Sequence, residues 1–373
     1  MKKLVAIMLT LAVAVSLTAC GGGKAPESKP DAAATPAADA AAPKEALKAC
    51  IIVSNLGDKS FNDSADAGMK KAVKDFGIDY KCIEIGLDDS KSVPTLFEAA
   101  DAGYDIIAFN NLSFGAAQDW LDENAATYPE TTFLMYDEYM WENKNDNVVL
   151  LKYKQSESDF LAGALAGKMS KSGVVGFVGG MDVPVIADFL VGYIDGVLYA
   201  NPKAKMTVSY TENWVDAAKG KELGLASINA GADFIHAVAG GSGNGALEAA
   251  QSKGVWGIGV DADQYELYKT EKPELAKSII TSSIKDVGTS LYTCIKEISE
   301  GTFKAGGDRW FGIEQNACGI AENENYLANV PADVQEYMKQ VKADIASGKI
   351  KVSSYFAMTE EEYKAKVDAI TKK

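Results

Sequence analysis

The segment GDKSFNDSADAG, residues 57–68, sets an aromatic ring, Phe61, among hydrogen-bonding side chains just after an apolar run. Two chemistries suit that pattern. Phe61 is either a hydrophobic contact at the start of a helix or a plate on which a flat ligand ring can stack. The run GGSGNG, residues 240–245, follows a strand pattern and opens a helix pattern, as phosphate-cradling loops do. It lacks the Walker lysine and stands late in the chain for a dinucleotide fingerprint. It therefore reads as backbone N–H groups facing a neutral ligand, or as a tight turn. His236 is the only histidine. It reads as a hydrogen-bonded core residue near a strand's carboxyl end. One histidine without a Cys, His or carboxylate cluster suits neither a metal site nor a Ser-His-Asp triad, and no cofactor is implied.

The elements that must position these residues alternate. ACIIVSN (49–55), KCIEIG (81–86), YDIIAFN (104–110) and TTFLMYD (131–137) are short apolar runs suited to buried parallel strands, with helix patterns between them. Ser60-x-x-Asp63 has the form of a capping box for the first helix. The series then begins again. SESDFLAGALAGKMSKSG (156–173) is a helix and VVGFVGG (174–180) a strand. A helix follows, with Asp182 at its N-cap and Pro184 in its first turn. Strands at 205–211, 233–241, 255–261 and 278–284 and a strand-like WFGIEQ (310–315) complete the pattern, with 114–129, 217–231 and 245–254 helical. Two βα series of similar length predict an α/β fold of two doubly wound parallel-sheet lobes joined by a hinge. The expected boundaries are 48–152 for the N-terminal lobe, completed by about 285–312, and 153–284 for the C-terminal lobe, completed by about 313–373.

The first 47 residues read differently. Lys2 and Lys3 precede an apolar stretch, residues 4–17, too short for a comfortable membrane span. It ends in Leu17-Thr18-Ala19-Cys20, which resembles the bacterial lipobox, so residues 1–20 are expected to be a lipoprotein signal and Cys20 the lipidated residue. Residues 21–47, rich in Gly, Ala, Pro, Lys and Asp, cannot bury enough surface to order and read as a disordered tether from a membrane. Cys50, Cys82, Cys294 and Cys318 read as buried free thiols, with a Cys50–Cys82 bridge as the alternative.

Composition narrows the partners. The 373 residues carry a net charge of −15, against the clustered Lys and Arg that nucleic acid requires. Arg309 is the sole arginine. Arginine is the usual bidentate clamp for carboxylates and phosphates, and its scarcity favours a neutral ligand. In doubly wound sheets ligands bind beyond the carboxyl ends of the strands. The suspect segments are thus 55–62, 110–114, 179–182, 213–216, 240–245, 261–264 and 282–285.

Taken in order, GDKSFNDSADAG, ESDFLAGALAG, VGFVGGMDVPVI, DAAKGKE, GADFIHAVAGGSGNGALEAA, WGIGVDADQ and TSSIKDVG resemble the basic membrane protein family of ABC-transporter substrate-binding lipoproteins, which includes purine-nucleoside receptors. The resemblance spans residues 48–330. It implies the type I periplasmic-binding fold, no enzymatic activity, a monomer, an ABC permease as partner and a lipid anchor on the extracytoplasmic face of the cell membrane. It also implies roles. Phe61 is the aromatic that stacks on the base, with Asn62 bonding ribose or base. Asp261 is the ribose-binding carboxylate and Lys285 the lysine that reaches the base. Trp214 is an opposite plate, and Met181, Asp182 and Gly241 line the second wall. Asn55, and Asn110 with Ser113, occupy places where relatives often carry an acid, which removes fixed negative charge near the ligand. The competing readings are a sensor for a sugar-like ligand and a nucleoside hydrolase. The latter calls for an Asp-rich calcium cluster that the chain lacks.

Overall fold

Strands of nearly unbroken apolar sequence can be buried only if both sheet faces are covered, and the fold meets that demand twice. In this computed structural model, residues 46–110 and 115–372 are described. Strands β1 (Lys48–Val53), β2 (Asp79–Glu84), β3 (Ile106–Asn110), β4 (Thr132–Tyr136) and β5 (Val148–Tyr153) alternate with helices α1 (Phe61–Phe76), α2 (Ser92–Asp101) and α3 (Ala116–Asn124). Ile51 and Val53 of β1 face one core with Ala65 and Met69 of α1. Cys50 and Ile52 face the other with Leu96 of α2 and Trp120 of α3. This is the period-two alternation of a strand buried on both sides.

Helix α4 (Gln155–Met169) opens the second lobe. It is followed by β6 (Val174–Gly179), α5 (Pro184–Ala200), β7 (Lys205–Tyr210), α6 (Ala217–Asn229), β8 (Phe234–Val238), α7 (Gly240–Lys253), β9 (Trp256–Asp261), α8 (Gln264–Tyr268), α9 (Pro273–Ser278) and β10 (Ile279–Lys285). The chain then returns. α10 (Val287–Glu300) packs on α1, and β11 (Asp308–Phe311) pairs in parallel with β5. β12 (Cys318–Ile320) pairs antiparallel with β10. α11 (Glu324–Asn329), α12 (Ala332–Ala346) and α13 (Glu360–Thr371) end the described chain. The sheet orders are β11-β5-β4-β3-β1-β2 and β12-β10-β9-β8-β6-β7. Both wind the same way, with switch points between β1 and β3 and between β6 and β8. Two doubly wound lobes linked by three chain crossings are the expected fold class.

Several local expectations are corrected. GGSGNG is neither a tight turn nor a loop but the start of α7. Its glycines let helices approach: a Cβ on Gly245 would lie 1.7 Å from the Ala217 carbonyl oxygen of α6. The strand at 310–315 stops at Phe311, and a 3-10 turn, Ile313–Gln315, follows. The N-cap of α5 is Val183, not Asp182, with Pro184 as its first residue. All four cysteines in the described residues are free. Cys50, Cys294 and Cys318 are buried, but Cys82 is half-buried on β2, an edge strand.

The AG-rich helix pattern of α4 has the same cause as that of α7. A Cβ on Gly163 would stand 2.3 Å from the Tyr193 carbonyl oxygen of α5, and one on Gly196 2.0 Å from that of Phe160. Adding a methyl there forces backbones apart. Gly196→Ala should destabilise the protein by about 1–3 kcal/mol, seen as a lower midpoint in chemical denaturation. An unchanged midpoint would show that α4 and α5 separate freely.

Candidate functional site

The strand ends that face the gap between the lobes carry opposite charges. Lys285, the last residue of β10, is 2% exposed. Its ammonium lies 2.9 Å from the Asp137 carboxylate, just past β4 in the other lobe. It also sits 4.7 Å from the Phe61 ring centre, 5.2 Å from that of Phe189 and 5.6 Å from that of Tyr153. A cation held by one carboxylate and the faces of aromatic rings is strongly oriented when water is excluded.

Phe61 is the first residue of α1, and its ring meets that of Tyr136 at 5.5 Å with a 50° tilt. The helix start is not closed by the expected capping box. The Asp58 carboxylate accepts the N–H groups of Ser60, Asn62 and Asp63, at 2.9, 2.9 and 3.2 Å. Asp63 turns back to take those of Gly57 and Lys59. Asp58 satisfies the orphan donors of the first turn, so Ser60 is released from capping. Its hydroxyl crosses the gap to Asp261. Asn244 donates to the Asp58 carbonyl at 3.2 Å and Gln264 to that of Lys59 at 3.0 Å. Lys59 in turn pairs with Glu271 at 3.5 Å. The loop before α1 is thus fastened to the second lobe, and the lobes are closed on each other here.

Asp261 ends β9 and is 6% exposed. Burial pushes its carboxyl up to about 6, against the lowering influence of Lys285 and the Ser60 hydroxyl, while Asp58 and Asp137 add to the rise. Burial likewise raises Asp58, against the N–H bonds it accepts. Lys59, Asp137 and Asp261 all hold positive φ, at 56°, 67° and 65°. Left-handed backbone at non-glycine positions costs about 1–3 kcal/mol each and gathers where a site over-determines it. Among the described residues, Asn62 Oδ1, Asn110 Oδ1 and the Tyr136 hydroxyl are buried without hydrogen-bond partners. Asn110 and Tyr136 are register partners across β3 and β4. Buried polar groups are normally satisfied, so this wall of the gap holds unused hydrogen-bonding capacity.

The structure thus gathers Phe61, Asn62, Asn110, Asp261 and Lys285. Trp214 stands in the loop between β7 and α6, 36% exposed, its ring over Gly180 and its carbonyl holding the Ser242 N–H. Phe61 has Tyr136, not Trp214, as ring partner. Gly241 lies in the first turn of α7, where a Cβ would stand 3.1 Å from the Trp214 carbonyl oxygen. Met181 is half-buried in the loop before α5. Asp182 is exposed and lines a separate groove of about 530 Å³ between α5, β7 and α13. The Asn55 amide bonds its own neighbour, the Leu56 carbonyl, at 3.4 Å. Cys20 and Ser113 lie outside the described residues. Arg309 forks onto Glu297 at 2.7 and 2.9 Å, a bond between β11 and α10. His236 is fully buried between Asp159 and the Ile258 carbonyl.

Sequence reasoning passed over Asp137, Tyr136 and Phe189, and it gave Ser60 the capping role that Asp58 takes. Asp137 closes TTFLMYD, and the strand-end rule applied there would have found it. Phe189 comes from the second turn of a helix, which no strand-end rule reaches.

Residues 47–353 match the family model of ABC transporter substrate-binding proteins, PnrA-like. The chain belongs to this family. It is 29% identical over 328 residues to the ABC transporter nucleoside-binding protein BmpA of Lactococcus lactis, covering 83% of this chain and 90% of that one. Basic membrane protein A of Borreliella burgdorferi is 31% identical over 285 residues, 74% and 80% of the two chains. An ABC transporter solute-binding protein from Aeropyrum pernix superposes with a TM-score of 0.73 at 25% identity, over 87% of this chain and 99% of that one. The protein is therefore a substrate-binding protein of an ABC transporter. Such proteins take a small-molecule ligand, work with permease subunits and act outside the cytoplasm. Among the described residues no helix is long and apolar enough to cross a membrane.

The Asp261 carboxyl gives a sign-definite prediction. A carboxyl whose folded pKa stands above its unfolded value lowers stability as pH rises from about 4 through about 6. Asp261→Asn removes that cost. Its melting temperature should exceed the parent's by a few degrees at pH 7.5, the gain shrinking to nothing near pH 4. A variant less stable than the parent at pH 7.5 would contradict the electrostatic reading.

Proposed function

We propose that this protein is the lipid-anchored receptor of an ABC importer and that it closes on a purine nucleoside. The observation that carries this reading is the buried Lys285–Asp137 pair, set beside Phe61 and Asp261 and facing unpartnered Asn62, Asn110 and Tyr136 atoms. A purine is flat, so it stacks on a ring such as Phe61, worth about 1–3 kcal/mol per base. Its carbonyl and ring nitrogens accept hydrogen bonds, which Lys285 supplies, and its N–H groups donate to the free Asn62 and Asn110 amide oxygens. As acceptors approach, the ammonium turns from the Phe61 face towards them. Ribose hydroxyls donate, and the acceptors are Asp261 and Asp137. Trp214, Met181 and Gly241 form the far wall. The naming of the Lactococcus relative as nucleoside-binding supports the same choice. Cys20 carries the lipid, residues 21–47 act as the tether, and the monomer in its closed form is what the permease recognises.

Calorimetry with inosine, guanosine, adenosine, uridine and several sugars tests the ligand class. Heat from purine nucleosides, with no turnover, is expected. Silence with every nucleoside and tight uptake of a sugar would overturn it. Replacing Phe61 with alanine should weaken binding by roughly tenfold or more. Affinity unchanged with only a lower melting temperature would mean that the ring serves the fold alone.

A further inference from the structure

The chain crosses between the lobes three times, and its C-terminal end adds a fourth, non-covalent link. Helix α13 docks on the second lobe against α5 and β7. Lys366 pairs with Asp195 there, and the Tyr363 and Tyr210 hydroxyls meet at 3.3 Å. The segment leading into α13 reaches the first lobe. Phe356 stacks on Tyr139, with ring centres 4.2 Å apart and planes 12° from parallel. Trp310 of β11 flanks the same tyrosine at 6.1 Å. Just before, the Ser354 hydroxyl and the Tyr355 N–H donate to Asp188 of α5 at 2.6 and 2.8 Å. Asp188 is 1% exposed, and burial pushes its carboxyl up to about 6. The tail supplies donors that this buried group needs.

Tyr139 leads to the ligand site. Its hydroxyl oxygen lies 2.9 Å from Asp137 Oδ1 and 2.9 Å from Gln155 Oε1, and it accepts the Tyr153 N–H at 3.1 Å. Lys285 holds the other oxygen of the same carboxylate, Asp137 Oδ2. Phe356, Tyr139, Asp137 and Lys285 therefore form one file of contacts running from the tail to the middle of the gap. Residues 153–155 and 311–313, where the chain changes lobe, lie alongside it. We infer that residues 354–356 are a strut across the hinge, and that Phe356 is a positioning residue. It clamps the Tyr139 ring, which fixes the Asp137 carboxylate that aims Lys285. The family match ends at residue 353, immediately before the strut residues. Its effect on affinity, though not the strut itself, rests on the nucleoside reading above.

Full-length protein carrying Phe356→Ala, Phe356→Tyr or Ser354→Ala is compared with the parent by hydrogen–deuterium exchange and by calorimetry with inosine. In Phe356→Ala, exchange at residues 137–141 and 153–157 should rise about fivefold or more while α7 stays unchanged. Inosine affinity should fall about tenfold, and Phe356→Tyr should restore both. Ser354→Ala should loosen the same segments, which keeps the test open if Phe356→Ala fails to fold. Unchanged exchange at 137–141, or a rise spread evenly over both lobes, would overturn the strut. Loosening at 137–141 with undiminished inosine affinity would overturn the positioning role. If the parent takes up no inosine, the nucleoside reading falls while exchange still decides the strut.

Discussion

A buried ammonium set against carboxylates from both lobes governs the rest of this structure. Lys285 has left water almost completely, with Asp137 as its direct partner and Asp261 close enough to feel its charge. Removing one member of such a pair leaves an uncompensated charge in low dielectric, a loss of about 3–5 kcal/mol. The two lobes therefore cannot come together without bringing these groups into register, and the backbone bends to do it. Asp137 and Asp261 both adopt left-handed conformations at the ends of their strands. Burial keeps the Asp261 carboxyl costly even with Lys285 nearby.

Around that centre the fold supplies two kinds of support. Doubly wound sheets place strand ends from both lobes at one gap, as the topology requires. Glycine-mediated contacts between α4 and α5 and between α6 and α7 in the second lobe, and between Gly68 of α1 and Gly288 of α10 in the first, bring the helices of each lobe close together. The loop before α1 closes the arrangement. With Asp58 satisfying the first turn of the helix, the Ser60 hydroxyl is free to bridge to Asp261, and Asn244 and Gln264 hold the loop's carbonyls. One carboxylate thus decides whether a neighbouring hydroxyl caps its own helix or ties the lobes together.

Phe61 shows why aromatic residues at helix starts are ambiguous in sequence. Its ring touches the first lobe's Tyr136 and at the same time faces an ammonium from the second. It belongs to the edge of the core and to the gap together. The sole arginine and sole histidine, both conspicuous in composition, went to structural duties: Arg309 fastens β11 to α10, and His236 is enclosed between Asp159 and a strand carbonyl.

The sequence by itself determined the two βα series, because apolar runs of strand length separated by helical spacing admit few other arrangements. It also determined which strand ends to suspect, and through its ordered motifs the family. It read Ser60 and Asp63 as a capping box for α1 and passed over Asp58, an acceptor within reach of the same N–H groups; only the position of Asp261 separates the two roles. It read GGSGNG as ligand-facing backbone or a tight turn because glycine's value in close helix packing is invisible until the neighbouring helix is in place. It put Asp182 in the cleft, whereas the turn before α5 sets that side chain in another groove. The pairing of Lys285 with Asp137, 148 positions apart in the chain, was decided only by the tertiary structure. Long-range charge partners follow from how two sheets meet, and nothing local in either segment encodes that meeting.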